Sequence, residues 1–294
     1  MTPSASTLAA RRHAFRDLHA SGCFVIPNPW DAGSARYLAS LGFKALASTS
    51  SGFAWSHARA DGAMPRDAVL AHLREIVEAT GLPVNADFES GYGATPQDVA
   101  ESVRLAVDTG VAGLSIEDAT GDAQRPIHDL AAAVARLRAA RAAIDANGGD
   151  TLLVGRAENY LHGRPDLADT IARLRAYAEA GADCLYAPGL KTRDDIDAVV
   201  AAVAPKPVNL LVSGASELTL ADIAALGVRR VSVGGALARS AWGGFMRAAQ
   251  VLAGQGVFDG FAHAASGAEL NALFRADAAE TPVSPVAPDN GGLR

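Results

Sequence analysis

The sequence predicts an α/β protein, a single (β/α)8 barrel with an extra N-terminal helix, and three observations carry that expectation. Eight short β-type runs alternate with eight longer Ala/Leu/Arg-rich stretches, the order of the two types hardly varies, and glycines stand where a left-handed residue would stop a helix. The 294 residues would allow two domains, but α/β barrels routinely spend about 200 to 250 residues on one. No linker interrupts the alternation, so residues 1–294 read as one domain.

Within residues 1–20, the stretch 8–20 reads as a helix ahead of the barrel, placed to cap its lower end. Strands are expected at 23–28, 45–49, 83–87, 113–117, 152–156, 184–187, 208–211 and 230–233. Each is a short apolar run, as a strand covered on both faces requires. Helices are expected between them at 33–41, 66–80, 96–109, 130–147, 166–180, 193–203 and 219–226, with a last one at 237–253. Val99, Val103, Ala106 and Val107 show the helical spacing of apolar residues. Gly81, Gly110, Gly148, Gly181 and Gly227 punctuate helix ends. The rival architecture is an open doubly wound sheet, which usually carries a glycine fingerprint after its first strand. Here that position reads Pro29-Trp30-Asp31-Ala32-Gly33, which favours the closed barrel. Residues 281–294, rich in Pro, Gly and Asn, are expected to form a mobile tail.

Composition narrows the function. Apolar residues make up 49% of the chain, enough for a large core. The 26 basic and 32 acidic side chains leave a net charge of −6, without the basic stripe that a nucleic-acid binder needs. No apolar run approaches the ~20 residues of a membrane span, and residues 1–12 lack a secretory hydrophobic core, so a cytoplasmic protein is expected. Cys23 and Cys184 sit in apolar runs without metal-site spacing and read as reduced thiols.

In a barrel of this kind the chemistry gathers at the carboxyl ends of the strands. The third strand ends in Asn85-Ala86-Asp87, followed by Phe88-Glu89, the fourth in Glu117-Asp118 and the fifth in Arg156-Ala157-Glu158. One such carboxylate would read as a solvated ion pair; three adjacent strands delivering them together read as a site. Asp87 and Glu117 are hard oxygen donors of the kind that hold Mg2+ alongside waters and substrate oxygens. Arg156 has the fork geometry to clamp a carboxylate. The second strand ends in Ser48-Thr49-Ser50-Ser51-Gly52, read as a small-residue loop able to approach an oxyanion, and Asp61 lies in the next connection. The polar segment from Asp118 to Asp129 reads as a strap over a substrate or as a surface connection, with Asp129 a candidate helix cap. His57, His128 and His162 lack metal-ligand spacing.

Several ordered pieces between about His19 and Ala253 make the chain similar to the isocitrate lyase and phosphoenolpyruvate mutase superfamily. They are Pro29-Trp30-Asp31-Ala32-Gly33-Ser34-Ala35-Arg36, Leu41-Gly42-Phe43-Lys44-Ala45, Asn85-Ala86-Asp87 through Gly91-Tyr92-Gly93, Ile116-Glu117-Asp118, Arg156-Ala157-Glu158, and Tyr177 through Asp183. The resemblance implies a modified barrel, commonly a homo-oligomer (tetramer or dimer) with the last helix exchanged between subunits. It also implies Mg2+, or Mn2+ in its place, held by Asp87, Glu117 and, through water, Asp61. Thr49, Ser50 and Ser51 match the loop around a small carboxylate substrate, and Arg156 matches the substrate-binding arginine.

Three departures from the family pattern refine this. Asn85 completes the metal-site positions but stands where an acid is common, so it brings a neutral amide and no charge to the ion, with Glu89 available to compensate. The Lys-Cys-Gly-His loop of the isocitrate lyases is missing, since no cysteine or lysine lies between Glu117 and Tyr160. The gating loop and strand-six histidine of the mutases and phosphonopyruvate hydrolases are also missing. The expectation is a Mg2+-dependent lyase or decarboxylase that breaks a C–C bond next to an α-oxo or α-hydroxy carboxylate through an enolate, with Arg125 or His128 supplying protons. The alternatives are P–C bond chemistry and a non-catalytic oxo-acid binder.

Overall fold

The computed structural model describes residues 3–275; the expectation for 281–294 falls outside the described residues. The chain opens with α1 (Ala5–Ala20), and then eight strands follow: β1 (Phe24–Ile26), β2 (Leu46–Ala47), β3 (Val84–Asp87), β4 (Gly113–Glu117), β5 (Leu152–Arg156), β6 (Cys184–Tyr186), β7 (Val208–Leu211) and β8 (Arg230–Ser232). Between them run α2 (Ala32–Ser40), α3 (Ser50–Ser56), α4 (Arg66–Ala79), α5 (Pro96–Val107), α6 (Leu130–Ala146), α7 (Leu167–Glu179), α8 (Arg193–Val203) and α9 (Leu220–Ala225). After β8 come α10 (Ala236–Gln255), a 3-10 turn and α11 (Gly267–Arg275).

All strand pairs are parallel, and the order β1-β8-β7-β6-β5-β4-β3-β2 runs round a ring. The seam between β1 and β2 has no ladder. It is drawn together by Ala47 N donating to the Pro27 carbonyl (3.0 Å) and by the Asn28 amide donating to the Ser48 carbonyl (2.9 Å). The molecule is a nearly closed (β/α)8 barrel.

Capping explains where the covering helices start. Thr95 and Asp98 form a capping box with Pro96 in the first turn of α5, Asp129 caps α6, and Thr219 and Asp222 repeat the box at α9. The amino end of the barrel is closed by α1, whose Phe15 is fully buried against Ile26, Ala45, Ala112 and Leu152. Gly113 follows from that plug, because a Cβ there would lie 2.8 Å from Phe15 Cε1. Cys184 is buried and free, its thiol pKa pushed up by burial.

Two parts differ from the sequence expectation. Residues 50–56 form a helix rather than a loop, since Thr49 accepts from Gly52 N as N-cap and Phe53 and Ala54 are buried. The chain beyond α10 adds the 3-10 turn and α11, whose apolar residues Phe258, Phe261, Leu270 and Phe274 stay exposed. Among the described residues, no helix is long and apolar enough to cross a membrane.

Candidate active site

At the carboxyl ends of the strands lies a cavity of about 310 Å3 lined by Thr49, Ser50, Ser51, Asp61, Asn85, Asp87 and Arg156. These seven expected site residues come from four separate stretches of chain, and the barrel's register brings them together. Pairing of β4 with β5 sets Glu117 beside Arg156. Glu117 joins the site through Arg156, 3.2 Å away, and is not itself among the residues that line the cavity.

Arg156 is the hub. Its Nη1 lies 3.2 Å from Asp87 Oδ1 and 3.2 Å from Glu117 Oε2, and its Nε donates to Glu158 Oε1. Its guanidinium also packs over the Tyr186 ring, 5.0 Å from the centroid. Asp87 is clamped from the other side, where Ser50 N donates to Oδ2 at 2.9 Å, while Asp87 N donates to Ser48 Oγ at 2.9 Å. Gly52 permits this arrangement, because a Cβ there would meet Trp30 Cβ at 2.9 Å and Thr49 Cγ2 at 2.8 Å.

Carboxylates outnumber the cation they face. Burial raises Glu117 well above the usual carboxylate range; Arg156 opposes this, and Glu158, Asp87 and Glu89 reinforce it. Burial also pushes Glu89 up to about 7, although Tyr92 Oη donates to its Oε1 at 2.6 Å. Asp61 is exposed at the rim of the cavity, where partial desolvation by the surrounding chain and the nearby Asp87 raise it too. Burial pulls Arg156 down, but Glu158, Glu117 and Asp87 together hold it well above the arginine value. Glu89 and Tyr92 both adopt left-handed backbone, φ 46° and 49°, and non-glycine residues held there store strain of the kind found at functional sites. Arg136 of α6 ties that loop down by donating to the carbonyls of Ser90 and Ala94 at 3.1 and 3.2 Å.

This donor set fits Mg2+ of the kind that keeps most of its waters. Among the described residues no group of three or more His, Cys, Asp or Glu side chains is arranged to hold a metal ion by itself, so waters and substrate oxygens would have to complete the coordination. Hard carboxylate oxygens in excess over one guanidinium are nevertheless what a hydrated divalent cation would neutralise.

Other expected residues stand elsewhere. Arg125 is exposed on the strap after β4 and pairs with Asp122 at 3.6 Å, and half-buried His128 offers its backbone carbonyl to Arg173; neither lines the cavity. Asp129 caps α6. Tyr186 and Trp55 supply aromatic rings to the cavity wall. Sequence reasoning missed Asn28, Asn209, Arg230 and Ser232, which also line it. Their signal was a polar residue inside an otherwise apolar strand.

The family model for phosphoenolpyruvate phosphomutase matches residues 15–253. The chain belongs to this family. Oxaloacetate decarboxylase from Bradyrhizobium sp. (strain BTAi1) is 32% identical over 240 residues, 77% of this chain and 78% of that one. Among solved structures, a protein from Burkholderia cenocepacia J2315 named as a lyase/mutase shares 50% identity and a TM-score of 0.90, over 95% of this chain and all of that one. A 2,3-dimethylmalate lyase shares 26% identity and a TM-score of 0.81, over 92% and 95% of the two chains. This family member is a lyase-type enzyme, and it is set apart from isocitrate lyase itself by the missing lysine and cysteine between Glu117 and Tyr160.

Proposed function

We propose that this enzyme breaks a C–C bond next to the oxo or hydroxy carbon of a small 2-oxo or 2-hydroxy carboxylate, as an oxo-acid decarboxylase or lyase dependent on Mg2+. One observation carries the reading: Asp87, Glu117 and Glu158 converge on Arg156 at the mouth of a cavity sized for a small acid. The relatives named as oxaloacetate decarboxylase and 2,3-dimethylmalate lyase support the same bond class.

Asp87 and Glu117, with Asp61 through water, would hold the ion. When bound, it would polarise the substrate's oxo group and stabilise the negative charge that develops as the bond breaks. The chain's own residues do the rest. Thr49, Ser50 and Ser51 supply hydroxyl donors around the substrate carboxylate, with the Thr49 and Ser51 hydroxyls already 3.1 Å apart. Arg156 is fixed by three carboxylates and a ring, so its charge is preorganised at the reacting end instead of reorganising during the reaction. Tyr186 and Trp55 restrict water on the cavity wall. Arg125 and His128 stand outside the cavity and receive no proton-transfer role.

The test is a panel of 2-oxo and 2-hydroxy acids with and without Mg2+, followed by NMR. A lyase of this type gives Mg2+-dependent product, and exchange of C3 protons with solvent where the oxo acid retains them. Thermal stabilisation by an oxo acid without exchange or product would make the protein a binder and overturn the reading.

A further inference from the structure

The inner end of the cavity is built around Arg230, the first residue of β8, which is 3% exposed and lines the cavity. Its Nε donates to Asn209 Oδ1 at 2.8 Å, and its Nη1 donates to Asn85 Oδ1 at 3.3 Å and lies 3.4 Å from His19 Nε2. All three acceptors are neutral. Two are amides. The third is His19, whose Nδ1 lies 2.7 Å from the Phe15 carbonyl, so that nitrogen carries the proton and Nε2 is left to accept. Burial, and then Arg230 itself, push His19 down to about 3, which keeps it uncharged at neutral pH.

Among the described residues, no carboxylate lies within ion-pair distance of Arg230, and its Nη2 makes no hydrogen bond. The contrast with Arg156, which faces three carboxylates in the same cavity, is the decisive point. A guanidinium taken out of water is retained where a counter-charge meets it. A carboxylate at position 85 would satisfy Arg230 from within the protein, whereas the amide of Asn85 leaves its charge open to the cavity.

We propose that Arg230 is an anion subsite that receives a second carboxylate of the substrate, so that the enzyme selects dicarboxylic over monocarboxylic oxo acids. The reacting oxo-acid end lies at the pole formed by Asp87 and Arg156, and the remote carboxylate points inward to Arg230. The bidentate fork of arginine and the lack of any competing acid make that end selective for a planar anion. This inference rests on the preceding reading, that the cavity takes a small oxo acid.

Calorimetric titration of the whole chain in low-chloride buffer tests it, with oxaloacetate against 2-oxobutanoate and 2-oxoglutarate against 2-oxopentanoate. The expected result is that the dicarboxylate binds at least tenfold tighter in one or both pairs. Arg230→Gln, folded by circular dichroism, abolishes that advantage and leaves the monocarboxylate within threefold of wild type, and Arg230→Lys restores part of it. Equal affinities within both wild-type pairs overturn the subsite while leaving the proposed function standing. Equal weakening of both acids by Arg230→Gln also overturns it, because it marks a purely structural arginine. If Arg230→Gln does not fold, added nitrate decides on the wild type: it weakens only the dicarboxylate if the subsite exists, and both acids or neither if it does not. Binding of none of the four acids by wild type refutes the subsite and the oxo-acid reading together.

Discussion

Replacing Asp118 with asparagine removes one negative charge from the network behind the cavity and leaves the shape of the side chain unchanged. The Asp118 carboxylate is 2% exposed. Its Oδ1 accepts from Glu158 N at 2.8 Å, and its Oδ2 accepts from Arg173 Nη1 at 3.0 Å and from Tyr177 Oη at 2.6 Å. Asparagine still offers an oxygen to Glu158 N, but its NH2 group then faces two donors. Removing one side of a buried ion pair costs about 3–5 kcal/mol. Arg173 keeps Asp169 at 2.7 Å, so the lower end applies, about 3 kcal/mol. Asp169 is 41% exposed on its side chain, and Asp169→Asn is the control, expected to lose less than about 1 kcal/mol. Guanidinium denaturation of the two variants and the parent measures both effects. Because Asp118 holds Glu158 N, and Glu158 holds Arg156, activity should fall with Asp118→Asn and not with the control. Equal stability losses for the two variants, or a loss below about 1 kcal/mol for Asp118→Asn, would refute the reasoning.

Three further predictions follow from burial and contact. His72 is buried against Phe53, its ring stacked at 3.8 Å, and burial lowers its pKa to about 4 against 6.5 for an unfolded histidine. The unfolded chain therefore binds the extra proton in that window: the stability is fully present above pH 6.5 and is lost as pH falls toward 4, by about 1.4 kcal/mol per unit. His72→Phe should accordingly shrink the stability drop between pH 7.5 and 5.0 by about 2 kcal/mol, and an unchanged drop in urea denaturation would contradict this. On α10, Phe245 is 62% exposed beside Trp242, an apolar face suited to packing against a second copy of the chain, so Phe245→Asp should leave chain stability within about 0.5 kcal/mol while light scattering reports a smaller mass than for the parent; a monomeric parent or an unchanged mass would contradict that use of the face. Gly93→Ala should destabilise by about 3 kcal/mol in thermal melts, because its Cβ would lie 2.5 Å from Val99 N and the backbone there cannot yield; a shift of under 1 °C would be inconsistent with the packing of this loop.

The fold was legible because its strands are buried on both faces. Gly113–Glu117, Leu152–Arg156 and Val208–Leu211 begin and end where the apolar runs do, and helix ends agree to within a few residues of their glycines and caps. The helix Ser50–Ser56 was not legible, since three serines and a glycine among its seven residues carry loop composition; its signal was Thr49 as a cap ahead of Phe53 and Ala54, whose burial is a tertiary fact. The acidic half of the site could be read from the strand ends, where Asp87, Glu117 and Arg156 stand. Of its inner half, Asn85 was marked by its place two residues before Asp87, but Asn209 and Arg230 were not legible, because they sit within strand runs and only the closed barrel turns them toward one axis. Arg125 and His128 stand off the cavity lining. Chemical type suggested them, but the bridge between Ala119 and Ile127 folds their segment into a strap whose outer edge carries Arg125 into solvent.

The measurement that bears most directly on the proposed site is Mn2+ binding followed by electron paramagnetic resonance, on the parent chain and on Asp87→Ala and Glu117→Ala. One bound ion per parent chain, an affinity reduced at least tenfold in both folded variants, and loss of oxo-acid turnover in step would agree with the account. An ion bound equally well by all three proteins, or full turnover by either variant, would place the chemistry somewhere other than this cavity.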